Sequence, residues 1–162
     1  MANYQVFGPI DMSLTGRFIN KDSRIEFWKS EDAKGLVDRK GCYIFGLRHY
    51  NKIKPWYVGK ATKGFAKECM TDHKLNKYHE VLHDHSGAPV FFFLAEERTK
   101  GPTNSKAIGA LEKKLIADAF QINSEIMNVI GVKPLPYQIS GIGKVGKRPK
   151  PLNEYLKMMD LS

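Results

Sequence analysis

A small α/β domain, with a central sheet of about three strands and helices on both faces, is the fold that three segments of this sequence predict. Cys42-Tyr43-Ile44-Phe45-Gly46-Leu47 is rich in β-formers and reads as a buried strand. Pro89-Val90-Phe91-Phe92-Phe93-Leu94-Ala95 is apolar throughout, as a strand covered on both faces must be, and so belongs at the centre of the sheet. Asn104-Ser105 caps a helix reaching about Gln121, along which Ile108, Leu111, Leu115, Ala119 and Ile122 form one apolar stripe.

The remaining elements follow in order. Residues 1–30 mix short apolar pieces with Gly8-Pro9 and read as an extension packed on the domain, with Phe27-Trp28 as its apolar anchor. Glu31 to Asp38 predicts a short helix ended by Arg39-Lys40-Gly41. After the first strand, residues 51–55 contain Pro55 and read as a turn region, and Trp56-Tyr57-Val58 as the returning strand of a hairpin. Helical material begins near Gly64, and Thr71 or Asp72 caps a segment running through His83. Beyond a basic stretch punctuated by Pro and Gly, Leu152, Tyr155, Leu156 and Met159 recur at helical spacing. The expected organisation is an N-terminal extension over 1–39, the domain proper over 40–130, and a basic segment with a short helix over 131–162.

Composition narrows the function classes. The 162 residues suit one domain with its own core, and an apolar fraction of 42% is ordinary for a globular protein. No run approaches the roughly 18 apolar residues of a membrane span, and the first residues lack a basic start before an apolar stretch. The two cysteines, Cys42 and Cys69, fit buried thiols in a reducing compartment better than a disulfide framework. Together these features predict a soluble, cytoplasmic protein without a membrane partner. The net charge of +9 points to a polyanion. Residues 133–150 contribute Lys133, Lys144, Lys147, Arg148 and Lys150 and no acidic residue, which is an electrostatic footprint for nucleic acid.

One residue breaks the pattern of the long helix. Glu112 falls inside the apolar stripe, and a carboxylate there needs a cation or a hydrogen-bonding partner. The helix alone leaves two readings open, a structural ion pair with a nearby Lys or a ligand to a hard divalent cation. His79 and His83 share a helical spacing with His85 nearby. They lack the further ligands of a zinc site and read as polar surface residues.

Gly41-Cys42-Tyr43 and Tyr57-Val58-Gly59 stand on the two strands of the expected hairpin, and Glu112 lies downstream on a helix. This order resembles the signature of the GIY-YIG endonuclease superfamily, over about residues 40–130. The resemblance implies a GIY-YIG-like three-stranded sheet flanked by helices and a site built around one divalent ion, Mg²⁺ or Mn²⁺. It makes Glu112 the metal ligand, and Tyr43 and Tyr57 the groups that position or activate water. Asn128 matches the Asn that follows the Glu helix and organises the site. The family's usual Arg after the second tripeptide falls here on Cys69 or Glu68, depending on register. Lys60 or Lys67 is then expected to meet the phosphate, and His73 to assist proton transfer or contact phosphate.

The expected activity is metal-dependent hydrolysis of phosphodiester bonds in DNA, with RNA a second possible substrate. Lys144, Lys147, Arg148 and Lys150 are expected to clamp the backbone, in a Gly-rich segment that allows close approach. Two other classes remain open: a nucleic-acid-binding module of the same fold that does not cut, and an interaction protein whose basic segment binds an acidic partner.

Overall fold

The computed structural model describes residues 3–97 and 101–128. The chain forms β1 (Tyr4–Asp11), α1 (Lys21–Lys29), a 3₁₀ turn (Lys34–Leu36), β2 (Gly41–His49), β3 (Lys52–Ala61), α2 (Phe65–Glu68), α3 (Asp72–Asp84), β4 (Ala88–Glu96) and α4 (Ser105–Ile122). The strands make one antiparallel sheet in the order β1-β4-β2-β3. The sheet thus has four strands where the sequence predicts about three. The fourth comes from the segment read as a packed extension, because β1 pairs along β4 from Tyr4 opposite Glu96 to Asp11 opposite Val90. A bulge between Phe7 and Ile10 holds Gly8-Pro9, which interrupts the alternation that would have marked a strand.

The apolar run of β4 is central, between β1 and β2. Alternation sorts its side chains onto two cores. Phe91, Phe93 and Ala95 join Tyr43, Phe45 and Leu47 of β2 under α1 and α3, whose Phe27, Leu75, Tyr78 and Leu82 complete that layer. Val90, Phe92 and Leu94 join Cys42 and Ile44 under α4, which contributes Ile108, Leu115, Ile116 and Ala119. Helices therefore cover both faces. Asn104 caps α4 by accepting from the Ala107 N–H at 3.0 Å.

The β2–β3 hairpin is longer and tighter than residues 51–55 suggest. Only Tyr50 and Asn51 separate the paired residues His49 and Lys52. Pro55 lies inside β3 because the register slips between Phe45 and Gly46 and because β3 is the edge strand, where a missing N–H is tolerated. The helix expected over Glu31–Asp38 contracts to the single turn Lys34–Leu36, while α1 forms just before it, capped by Asn20 Oδ1 on the Ser23 N–H at 2.7 Å. Phe27 of α1 is buried edge-on against Phe91, with ring centroids 5.6 Å apart, which fulfils the anchoring role read from Phe27-Trp28.

The arginines of the described residues serve this framework. Arg17 donates to the carbonyls of Leu82, His85 and Gly87 and so closes the C-terminal end of α3. Arg39 donates to Glu96 O at 3.1 Å, Arg24 to Met70 O at 3.4 Å, and Arg48 pairs with Asp11 at 3.0 Å. The segment 144–150 and the helix expected at 152–159 lie outside the described residues.

Candidate functional site

The two tripeptides meet because β2 and β3 are paired with Tyr43 opposite Gly59. Close packing chooses both glycines, against backbone at Gly41 and against a side chain at Gly59. Gly41 has φ of 149°, and a Cβ there would sit 2.0 Å from Leu94 O. A Cβ at Gly59 would sit 2.3 Å from Cζ and Oη of Tyr43, so only Gly lets that ring lie across β3. Tyr57 stands one place along on the same face, its ring centroid 6.3 Å from that of Tyr43. Tyr78 of α3 packs beneath, 5.8 Å from Tyr57 and 4.4 Å from Phe45.

The two tyrosines are not equivalent. Tyr43 has no exposed surface, and burial drives its phenol far above the ordinary range. Its hydroxyl donates only a long 3.5 Å bond to Glu68 O. Tyr57 is half-buried and reaches the surface. Burial raises its phenol pKa, and the Glu112 carboxylate raises it further. Of the pair, Tyr57 is the one that can meet a water molecule or a phosphate.

Glu112 reaches this end of the hairpin from α4. Its side chain is 22% exposed, and among the described residues the cation paired with it is Lys60, with Nζ 3.9 Å from Oε1. Burial lifts its carboxyl above the usual range, while the charges of Lys60, Lys74 and Lys113 oppose that rise. The ion pair is too long for a tight hydrogen bond, and among the described residues no hydrogen bond reaches this partly buried carboxylate. Lys60 thus stands beside Glu112, as one of the two cations expected near the site.

Two lysines that the sequence reading passed over complete the cluster. Lys74 of α3 places Nζ 5.4 Å over the Tyr43 ring and 2.5 Å from Glu68 O. Lys77, one turn on, lies 5.1 Å over Tyr57. Burial lowers the pKa of Lys74, and Cys69, Glu68 and Glu112 offset part of that shift. The signal that could have found them was their spacing of three on a helix following the second tripeptide.

The two positions at which the family's Arg would fall have other tasks. Glu68 Oε2 accepts from the Lys63 N–H at 2.7 Å. Cys69 is fully buried, and its carbonyl accepts from the Tyr78 hydroxyl at 2.7 Å. Lys67 and His73 are exposed, and among the described residues neither makes a hydrogen bond or ion pair with Tyr57 or Glu112. Asn128 is buried and addresses the backbone. It accepts from the Val58 N–H at 2.9 Å and donates to Val58 O at 2.6 Å, gripping β3 between Tyr57 and Gly59. With Asn123 on Pro55 O and the Met127 N–H on Trp56 O, both at 2.8 Å, it satisfies the outer edge of the sheet. Its contribution is to position the second tripeptide.

Among the described residues no three His, Cys, Asp or Glu gather as a metal cluster. A single partly buried carboxylate is nonetheless a fitting anchor for Mg²⁺ or Mn²⁺. Such ions keep several waters and take substrate phosphate oxygens beside one or two carboxylates. Glu112 and Lys60 on the α4 side, and the surface-reaching phenol of Tyr57 with Lys74 and Lys77 on the α3 side, thus flank one end of an edge strand. The chain matches no family model, and comparisons with curated proteins and with solved structures find no significant match.

Proposed function

We propose that this protein is a metal-dependent endonuclease that hydrolyses phosphodiester bonds in DNA, as the resemblance to the GIY-YIG superfamily implies. The observation that carries the reading is the convergence of Tyr57, Glu112 and Lys60, Lys74 and Lys77 on one end of the β2–β3 hairpin. A carboxylate alone inside a helix stripe has many explanations. A carboxylate paired with Lys60, its charge felt by Tyr57 and Lys74, in a chain of net charge +9, is matched to a phosphate and its counter-cation.

Each group then has a task. Glu112 would hold the metal, whose chemistry is to polarise the phosphate and offset charge on the leaving oxygen. Tyr57 accepts a hydrogen bond from the attacking water on its phenol oxygen and so orients it. Its raised pKa keeps the phenol protonated at neutral pH, so the proton the water loses passes to solvent, which returns one to the leaving oxygen, and Tyr57 is a positioning group. Lys74 and Lys77 present ammonium groups on the Tyr57 side, where they offset charge as the phosphorane-like transition state forms. They take the part expected of the missing Arg, as point charges without its two-pronged contact. Tyr43 supports Tyr57 from within the core, and Asn128 holds β3 in place. The phosphate-facing role expected of His73 and Lys67 thus falls to Lys74 and Lys77.

The test is nicking of supercoiled plasmid with Mg²⁺ or Mn²⁺ by the purified chain beside Glu112→Ala. Nicking that needs the metal and is lost in the variant supports the enzyme. Binding of DNA without nicking at any metal concentration would leave a binding module in its place.

A further inference from the structure

From Arg39 to Lys67 the chain carries eight Lys and Arg and no Asp or Glu. This run contains the whole β2–β3 hairpin, with the candidate site at one end and the turn Tyr50-Asn51 at the other. Between them, cations sit over aromatic rings in series. Lys74 lies over Tyr43, Lys77 lies 5.1 Å over Tyr57, and Lys54 lies 5.0 Å over Trp56. The bulge in β3 places Trp56 and Tyr57 on the same core side, so the row continues along one face of the strand. Rings that hold ammonium groups at intervals along a strand make a positively charged track.

The far end of the track has no explanation in the fold. Tyr50 is 86% exposed, its ring touching only the edge of His49 at 4.6 Å between centroids. It also has φ of 56°, at a turn position where glycine is the favoured residue. An aromatic there adds strain and buries nothing, so folding gives no reason for it. A ring this exposed, followed by Lys52 and Lys54 on β3, suits a flat and electron-rich partner on a polyanion. In a duplex the faces of the bases are already stacked, and an unpaired nucleotide alone offers a free one.

We propose that the β2–β3 hairpin is a nucleic-acid-binding arm whose tip stacks Tyr50 on an unpaired base, so that the preferred substrate carries a single-stranded segment beside the duplex. The inference rests on the nuclease reading for the location of the cut. The arm itself is a binding surface. Lys52 and Lys60 are eight residues apart on β3, which at strand spacing is about 25 Å. The unpaired segment therefore begins about seven base pairs from the scissile phosphate.

Fluorescence anisotropy in EDTA tests the arm without any catalysis. The probes are a blunt duplex and the same duplex bearing a thymidine tail of about ten nucleotides. The wild-type chain is expected to prefer the tailed probe. Tyr50→Ala is expected to weaken the tailed probe about tenfold, with the blunt one unchanged and Tyr50→Trp restoring affinity. Tyr50→Gly separates function from structure, since it relieves the turn and raises Tm while binding falls. Equal affinity of wild type and Tyr50→Ala for the tailed probe overturns the proposal, as does an equal loss on both probes. Failure of the nuclease reading is seen elsewhere: no metal-dependent nicking, with the tail preference intact. A wild-type chain that binds neither probe at low salt contradicts the arm directly.

Discussion

The ring of Tyr43 lies across Gly59, so close that a Cβ at position 59 would come within 2.3 Å of the phenol oxygen. A Gly-x-Tyr strand beside a Tyr-x-Gly strand is thus one packing unit, in which the tyrosine of one tripeptide requires the glycine of the other. Gly59→Ala is expected to cost about 1–3 kcal/mol, since the ring is fully buried and has nowhere to move. Urea denaturation of Gly59→Ala, Tyr43→Ala and the double variant checks this. The Gly59→Ala penalty should shrink when the ring is absent, and full additivity would show that the clash is not the cause.

Glu112 carries a burial cost that the proposed metal site would account for. Burial raises its folded pKa above the ordinary 4.5, so folding favours the protonated carboxyl. The stabilisation of that form is complete below the unfolded pKa and is lost as pH rises through the folded one. Glu112→Gln should accordingly melt higher than wild type at pH 7, with the difference closing as pH falls below about 4.5. Thermal melts in millimolar Mn²⁺ supply the functional half. Wild type should gain Tm with metal by mass action, and Glu112→Gln should not.

Asn128 tests positioning apart from contact with substrate. It makes two hydrogen bonds to Val58, so Asn128→Ala should cost about 1–3 kcal/mol and leave two backbone groups of the edge strand unpaired. Affinity for DNA should hold in the stably folded fraction, while the rate of cleavage falls because Tyr57 precedes the gripped residue. A variant with normal stability and lost affinity would instead place Asn128 on the nucleic acid.

The residues that were legible in the sequence are those whose role depends on their own segment. The strand over Cys42–Leu47, the central β4 and the capped α4 follow from composition and period, and the partial burial of Glu112 follows from its place inside the stripe. What was not legible depends on distant partners. β1 is a strand because β4 offers it an edge, despite Gly8-Pro9 within it. α1 is polar overall and buries only Ser23 and Phe27, too few for a visible period. Lys74 and Lys77 join the site because α3 packs Tyr78 beneath Phe45 and Tyr57, which carries the lysines of the same helix over the tyrosine rings. Asn128 reads as a site residue in sequence, and only its two bonds across seventy positions reveal a backbone clamp.

The same packing ranks the cations. Lys74→Ala is expected to slow cleavage by about 10²–10³, the usual effect of losing one preorganised charge-stabilising donor. Lys67→Ala and His73→Ala, both at exposed positions off the cluster, should stay within about twofold of wild type. Single-turnover rates on a labelled duplex compare all three, and a His73 effect equal to that of Lys74 would return His73 to the site.

The proposed nuclease depends on Glu112 as the anchor of its ion. Single-turnover cleavage of end-labelled DNA by wild type and Glu112→Gln, with DNA affinity measured on the same samples in Ca²⁺, decides whether it has that role. The predicted result is equal affinity and Mn²⁺-dependent cleavage that falls by at least about a hundredfold in the variant. Equal cleavage by the two proteins, or tight binding by both with no cleavage by either, would contradict it.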